Sequence, residues 1–157
     1  MIEIIAIIRL RGDRGLNQKV KDTLKMLRLF KKNSCVAVPN NKNYIGMLKV
    51  IKDYVTWGEL DKKTFKLLLE KRGKLPGNKK LDEKYFKEKT KLSYDQFIEE
   101  FYTGKKKMKD VPGLKPVFRL NPPMLGFERK GIKKAFALGG ALGYRKNKIN
   151  DLIKRMI

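Results

Sequence analysis

The stretch Thr23 to Val55, TLKMLRLFKKNSCVAVPNNKNYIGMLKVIKDYV, constrains the fold more than any other part of this chain. Two basic segments with helical periodicity flank Ser34 to Val38, a short run without charge. In helical register Val20, Leu24, Leu27 and Phe30 share one face. Tyr44, Ile45, Leu48, Ile51 and Val55 share another, so the pattern predicts two helices that cover one sheet. Lys19, Lys25, Arg28, Lys32, Lys42, Lys49 and Lys52 are left to face a partner.

Met1 to Arg11 is rich in isoleucine on both parities and reads as a central strand covered on at least one face. RLRGDRG then forms a tight turn from which Arg9, Arg11 and Arg14 emerge, and Asn17 is placed to cap the next helix. Tyr54 to Leu60 has the composition of a third strand. The order predicted for residues 1–60 is therefore β-α-β-α-β. Gly46 interrupts the second helix at a cost of about 1 kcal/mol against alanine. Two readings explain it: close packing of helix on sheet, or approach of a phosphate backbone.

Residues 61–116 read as a helical lobe. Asp61 heads a helix with Phe65, Leu67, Leu68 and Leu69 that stops at Gly73. Leu81 to Lys91 is a charged segment anchored by Tyr85 and Phe86. Ser93 and Gln96 form a capping box that predicts a helix through Phe97, Ile98, Phe101 and Tyr102 to Gly104. Residues 117–157 read as an irregular basic extension rich in glycine and proline, with a short strand at VFRL. The extension ends in a helix, Asn147 to Ile157, whose apolar face is Ile149, Leu152, Ile153 and Met156.

Charge narrows the function. The 39 lysines and arginines outnumber 16 acids, giving +23 with no histidine. The surplus is +7 over residues 1–60, +8 over 61–116 and +8 over 117–157, so it belongs to a folded body and not to a tail. Such a body repels itself and is expected to persist against a polyanion, of which nucleic acid is the first candidate. The longest apolar run, IIAII, is too short to span a bilayer, and MIEII lacks the basic start of a signal peptide. A soluble cytoplasmic protein is expected. One cysteine, Cys35, excludes an internal disulfide and reads as a buried apolar side chain.

Catalytic motifs are absent. Without histidine there is no imidazole base or ligand, and a single cysteine makes no thiolate cage. Gly126 to Gly131 has phosphate-loop spacing, but Ile132 stands where a lysine must follow. Asp82 with Glu83, or Glu99 with Glu100, are the carboxylates a Mg²⁺-dependent nuclease would need, and both pairs sit among lysines as solvated surface. Neither a catalytic residue, a metal site nor a cofactor is assigned. Gly140-Ala-Leu-Gly143 matches a nucleic-acid clamp at two positions only. Charge spread over several faces suits folded RNA better than a single DNA groove.

The strand ending in an arginine-rich turn, TLKMLRLFKK, CVAVPN and NKNYIGMLKVIKDYVTWGEL resemble the core of the large-subunit ribosomal protein family L-thirty (L-seven in eukaryotes). RLNPP, GFERKGIKK, GGALGYR and KINDLIKRM resemble the extension of its archaeal and eukaryotic members; the bacterial form stops after the third strand. The resemblance implies an α+β fold with a ferredoxin-like β-α-β-α-β core, in which a three-stranded sheet carries two helices. It also implies a structural constituent of the large ribosomal subunit, not an enzyme. The expected partners are large-subunit ribosomal RNA, 5S RNA and other large-subunit proteins, with no membrane and no small-molecule substrate. A free RNA chaperone or DNA-compacting protein is the alternative within the binding class.

Carried onto this chain, the resemblance places RNA contacts at Arg9, Arg11, Arg14 and Lys19 around the first turn, at Arg28 on the first helix, and at Asn43, Gly46 and Lys49 on the second. In the extension they are Arg119, Asn121, Arg129, Lys130, Lys133, Lys134, Gly139, Gly140, Gly143, Tyr144, Arg145 and Lys146. Met124 and Leu125 stand where relatives are expected to be basic and are left out of the contact set.

Overall fold

Every residue of strand β1 (Ile4–Arg9) is buried, because the sheet is covered on both faces. The computed structural model describes residues 1–157. β1 lies between β2 (Ser34–Pro39) and β3 (Val55–Glu59), antiparallel to both, with Ala6 opposite Ala37 on one side and Gly58 on the other. Side chains alternate across the strand. Ile5 and Ile7 therefore meet one layer, built from α1 (Gln18–Met26) and α2 (Lys42–Ile51). Ile4, Ala6 and Ile8 meet the opposite layer, which contains α3 (Lys62–Arg72), α4 (Glu83–Thr90), α5 (Tyr94–Tyr102) and α6 (Ile149–Met156).

The fold is α+β with the expected ferredoxin-like core, but the sheet has five strands. Short strands β4 (Phe118–Arg119) and β5 (Gly143–Tyr144) from the extension add to its edges, giving the order β4-β2-β1-β3-β5. β5 is the one parallel addition, pairing Thr56 with Gly143 and Trp57 with Tyr144.

Two apolar assignments change. Helix α1 ends before Phe30: Arg28 adopts a left-handed φ of 59°, Leu29 N–H bonds to Leu24 O at 2.9 Å and Arg28 N–H to Lys25 O at 2.9 Å. This Schellman arrangement swings Leu29 into the core and leaves Phe30 57% exposed. A non-glycine left-handed cap carries no sequence signal, so helical periodicity alone runs on to Phe30. In α2 the buried face is Leu48 and Ile51 with Tyr44 and Met47 beside it, while Ile45 is 39% exposed. Ile45 sits about 100° round the helix from Tyr44 and leaves the stripe. Val55 is buried, but in β3.

The capping box forms as read: Ser93 Oγ accepts from Gln96 N–H at 3.3 Å and Ser93 N–H donates to Gln96 Oε1 at 3.0 Å. Asn17 and Asp61 occupy N-cap positions without a side-chain cap bond. Asp61 N–H donates instead to Asn150 Oδ1 at 3.0 Å, and Asn150 Nδ2 donates to Glu59 O and Asn147 O, each at 2.9 Å. This buried asparagine fastens α6 to the end of β3. Residues 61–116 share their core with the sheet: Phe65 stacks on Phe101 at 5.0 Å and meets Phe118 of β4 edge-on at 6.5 Å. Cys35 is fully buried there, and burial pushes its thiol up to about 12, which leaves it protonated and inert.

Candidate nucleic-acid interface

The α1/α2 layer keeps its cations outside. Lys19, Lys25, Lys42, Lys49 and Lys52 are all exposed, because each falls off the stripe that meets the sheet. Asn43 and Gly46 are exposed on α2 as well. A Cβ built at Gly46 would meet nothing within 4 Å, so packing does not explain that glycine. At the first turn Arg14 points to solvent. Arg11 is half-buried over the Tyr54 ring, 5.1 Å from its centroid, and donates to Asp53 O at 3.2 Å. Arg28 is exposed, but as the left-handed cap after α1 and not on the helix itself.

Two arginines expected at the surface are inside. Arg9 is 2% exposed. It donates from Nη1 to Leu29 O at 2.7 Å and Phe30 O at 3.0 Å, from Nε to Arg11 O at 2.8 Å, and from Nη2 to Asp13 Oδ1 at 2.5 Å. It closes the C-terminus of α1 onto the first turn with four of its five N–H groups, and its burial keeps it away from phosphate. Arg145 is equally buried. Its fork meets Glu128 Oε1 at 2.7 Å and Oε2 at 3.2 Å, Nε donates to Thr56 Oγ1 at 2.8 Å, and Nη2 also donates to Ala141 O at 2.7 Å. The guanidinium lies 4.8 Å from the centroid of Phe136. Arg145 therefore welds β3 to the extension from within.

Gly140 is also structural. A Cβ there would lie 2.1 Å from Lys134 O, so the glycine lets two stretches of the extension cross. Gly139 and Gly143 have φ of 86° and 85°, and Gly143 has open space about it. Gly58, which the sequence reading passed over, carries a similar constraint: its Cβ would lie 2.0 Å from Lys146 O, where the extension crosses β3. A glycine inside a strand was the available signal.

What the extension presents outward is Arg129, Lys130, Lys133, Lys134, Lys146 and the half-exposed Tyr144, with Arg119 and Asn121 on the β4 side. Register fixes Tyr144 on the α1/α2 side of the sheet: it pairs with Trp57, whose side chain joins that layer, and the rings lie 6.4 Å apart. Its hydroxyl donates to Glu59, and this bond to a carboxylate pushes it up to about 12. Tyr144 thus shares the α1/α2 side of the sheet, whereas Phe127 and Ile132, which flank Arg129 and Lys130, pack against the opposite layer.

The carboxylates weighed for a nuclease are ordinary surface pairs: Glu83 meets Lys87 at 2.7 Å and Glu100 meets Lys106 at 3.4 Å. Met124 and Leu125 form an exposed turn tip, with Leu125 97% exposed at a φ of 63°.

Comparison with known proteins gives the family. The family model described as ribosomal protein L30p/L7e matches residues 5–55, the span from β1 to the start of β3. The large ribosomal subunit protein uL30 of Methanococcus maripaludis is 52% identical over 152 residues, covering 97% of this chain and 98% of the relative. The proteins of the same name from Archaeoglobus fulgidus and Methanopyrus kandleri are 47% and 46% identical, over 98% and 94% of this chain and 99% and 100% of theirs.

Proposed function

Because the chain belongs to the ribosomal protein L30p/L7e family, we propose that it is a structural constituent of the large subunit of an archaeal-type ribosome, a cytoplasmic particle in which it binds ribosomal RNA. It is not an enzyme. Other large-subunit proteins are its neighbours, and 5S RNA enters as a further partner on the family resemblance alone.

The observation that carries this reading is the outward placement of the cations on α1, α2 and the extension, together with a net charge of +23 that no internal pairing balances. Arg14, Lys19, Arg28, Asn43 and Lys49 from the core, with Arg119, Asn121, Arg129, Lys130, Lys133, Lys134, Tyr144 and Lys146 from the extension, form the proposed contact set. Arg9, Arg145 and Gly140 leave it and become the framework beneath. At Gly46 the helix exposes bare backbone, which supports close approach of a phosphate chain. Residues 1–60 act as the binding core, and residues 117–157 widen it.

Contact with phosphates by counterion release makes binding salt-dependent. If six to ten phosphates are neutralised, affinity for large-subunit RNA falls by roughly 10³ to 10⁵ between 50 and 200 mM salt, with the duplex slope as an upper guide. Sedimentation of a lysate in moderate salt tests the assignment. One copy travelling with each large subunit supports it, whereas protein spread through the light fractions favours a free RNA chaperone.

A further inference from the structure

Between the first turn and α1 lies a cleft of about 290 Å³, lined by Arg9, Asp13, Lys21, Lys25, Leu29 and Phe30. Ligand pockets run from roughly 300 to 1,000 Å³, so this one has room for a single small ring. Its parts are held in place. The left-handed residue Arg28 turns the chain, and Arg9 Nη1 donates to Phe30 O at 3.0 Å, so the exposed Phe30 ring stands on a pinned backbone.

Asp13 Oδ1 accepts from Arg9 Nη2, while Oδ2 accepts no hydrogen bond within the chain. Arg9 first, and Lys21 more weakly, hold this carboxyl below the usual carboxylate range, so at neutral pH it only accepts. Lys21 and Lys25 are exposed on α1 at the rim.

A carboxylate at the mouth repels phosphate, so this cleft is a poor seat for the RNA backbone itself. An aromatic platform, an acceptor and flanking cations together suit one flat ring that carries N–H donors and is strung on a polyanion. Resting on the RNA-binding reading and adding a specific seat to it, we propose that this cleft holds one unstacked nucleobase. Phe30 is its stacking platform, Asp13 Oδ2 accepts from its N–H edge, and Lys21 and Lys25 lie on the adjoining phosphates.

The acceptor sets the preference. Guanine offers N1–H and N2–H₂ side by side, one to Oδ2 and the other to the lone pair that Oδ1 keeps beside its bond from Arg9. Adenine and cytosine offer one amino group each, while uracil offers a single N–H between two carbonyl oxygens that a carboxylate repels. The seat therefore ranks guanine first and uracil last.

Fluorescence anisotropy with the full chain tests this, using a short labelled oligouridine and the same strand with one central guanosine. The wild type should bind the guanosine strand about tenfold more tightly, and Phe30→Ala should lose about tenfold for that strand, the scale of one base–aromatic stack. Asp13→Asn should erase the preference without lowering affinity for oligouridine, since an amide both donates and accepts. Phe30→Trp should restore binding and show fluorescence quenching by the guanosine strand beyond that of the wild type.

Equal binding of the two strands by the wild type overturns the seat, as does a Phe30→Ala variant within twofold of wild type. If that variant binds both strands normally yet fails to stay on the large subunit, the ring meets a protein and the proposal falls. These results leave the RNA reading standing when large-subunit RNA still binds with steep salt dependence. Loss of that dependence in the wild type overturns the RNA reading itself.

Discussion

The first turn and the extension are both basic and glycine-containing, and each is built on one buried arginine, yet they are held in different ways. Arg9 is satisfied largely by neighbouring carbonyls at the end of α1 and by Asp13, four residues on and 68% exposed. Arg145 reaches Glu128, which is only 21% exposed, as well as Thr56 and Ala141, and so ties three separate segments. The first arrangement shapes a local turn. The second replaces regular structure across the extension, where strands and helices are only two or three residues long until α6. Much of a strongly cationic surface can thus rest on cations that never reach it.

The largest expected effect breaks or confirms that contrast. Arg145→Met leaves the Glu128 carboxylate partly buried without its fork, and should cost about 3–5 kcal/mol in urea unfolding. Arg9→Met leaves the carbonyls of Leu29 and Phe30 short of donors and should cost about 1–3 kcal/mol. Equal losses would mean that the extension is no more dependent on its arginine than the turn. Arg145→Lys should not rescue, because an ammonium cannot reproduce the bidentate fork.

Next come the glycines. Gly140→Ala drives a Cβ onto Lys134 O and should destabilise by about 1–3 kcal/mol or more, as overpacking does. Gly15 also has positive φ, 69°, but nothing lies within 4 Å of its Cβ position. Gly15→Ala should therefore cost only the backbone term, about 1 kcal/mol. Thermal unfolding of the two variants separates steric from conformational need.

A smaller effect has the opposite sign. Leu125→Gly relieves a left-handed non-glycine residue at the exposed tip of the extension and should raise stability by up to about 1 kcal/mol. A loss instead would show that the Leu125 side chain supports the turn.

The smallest effect is one of pH. Arg9 depresses the folded-state pKa of Asp13 below its ordinary 3.8, so the pair's contribution is complete above that value and is lost as pH falls through the lower folded value. Asp13→Asn should flatten the acid limb of the stability curve below that pH and leave the curve above pH 5 parallel to wild type. An unchanged acid limb would make the pair irrelevant to the turn.

Parts governed by nearest neighbours were legible. The isoleucine run of β1, the Ser93–Gln96 capping box and the apolar face of α6 all depend on residues within a few positions of one another, and all formed where expected. Phe30 and Ile45 lie outside the core that periodicity assigns them, since a left-handed cap at Arg28 and the limit of an apolar stripe leave little trace in composition. Arg145, Glu128 and Asn150 were not legible as framework at all. The partners that make them framework, Glu128 for Arg145 and Glu59 for Asn150, lie 17 and 91 residues away, and in sequence Arg145 looks like any other cation in GGALGYRKNK.

The sequence by itself determined the order of the core elements, the excess of positive charge and the family, because periodicity, composition and a near full-length match need no third dimension. Only the tertiary structure decided which cations face outward. A guanidinium enters the interior where enough carbonyl and carboxylate oxygens converge to replace its water, and that convergence exists only once distant segments have met.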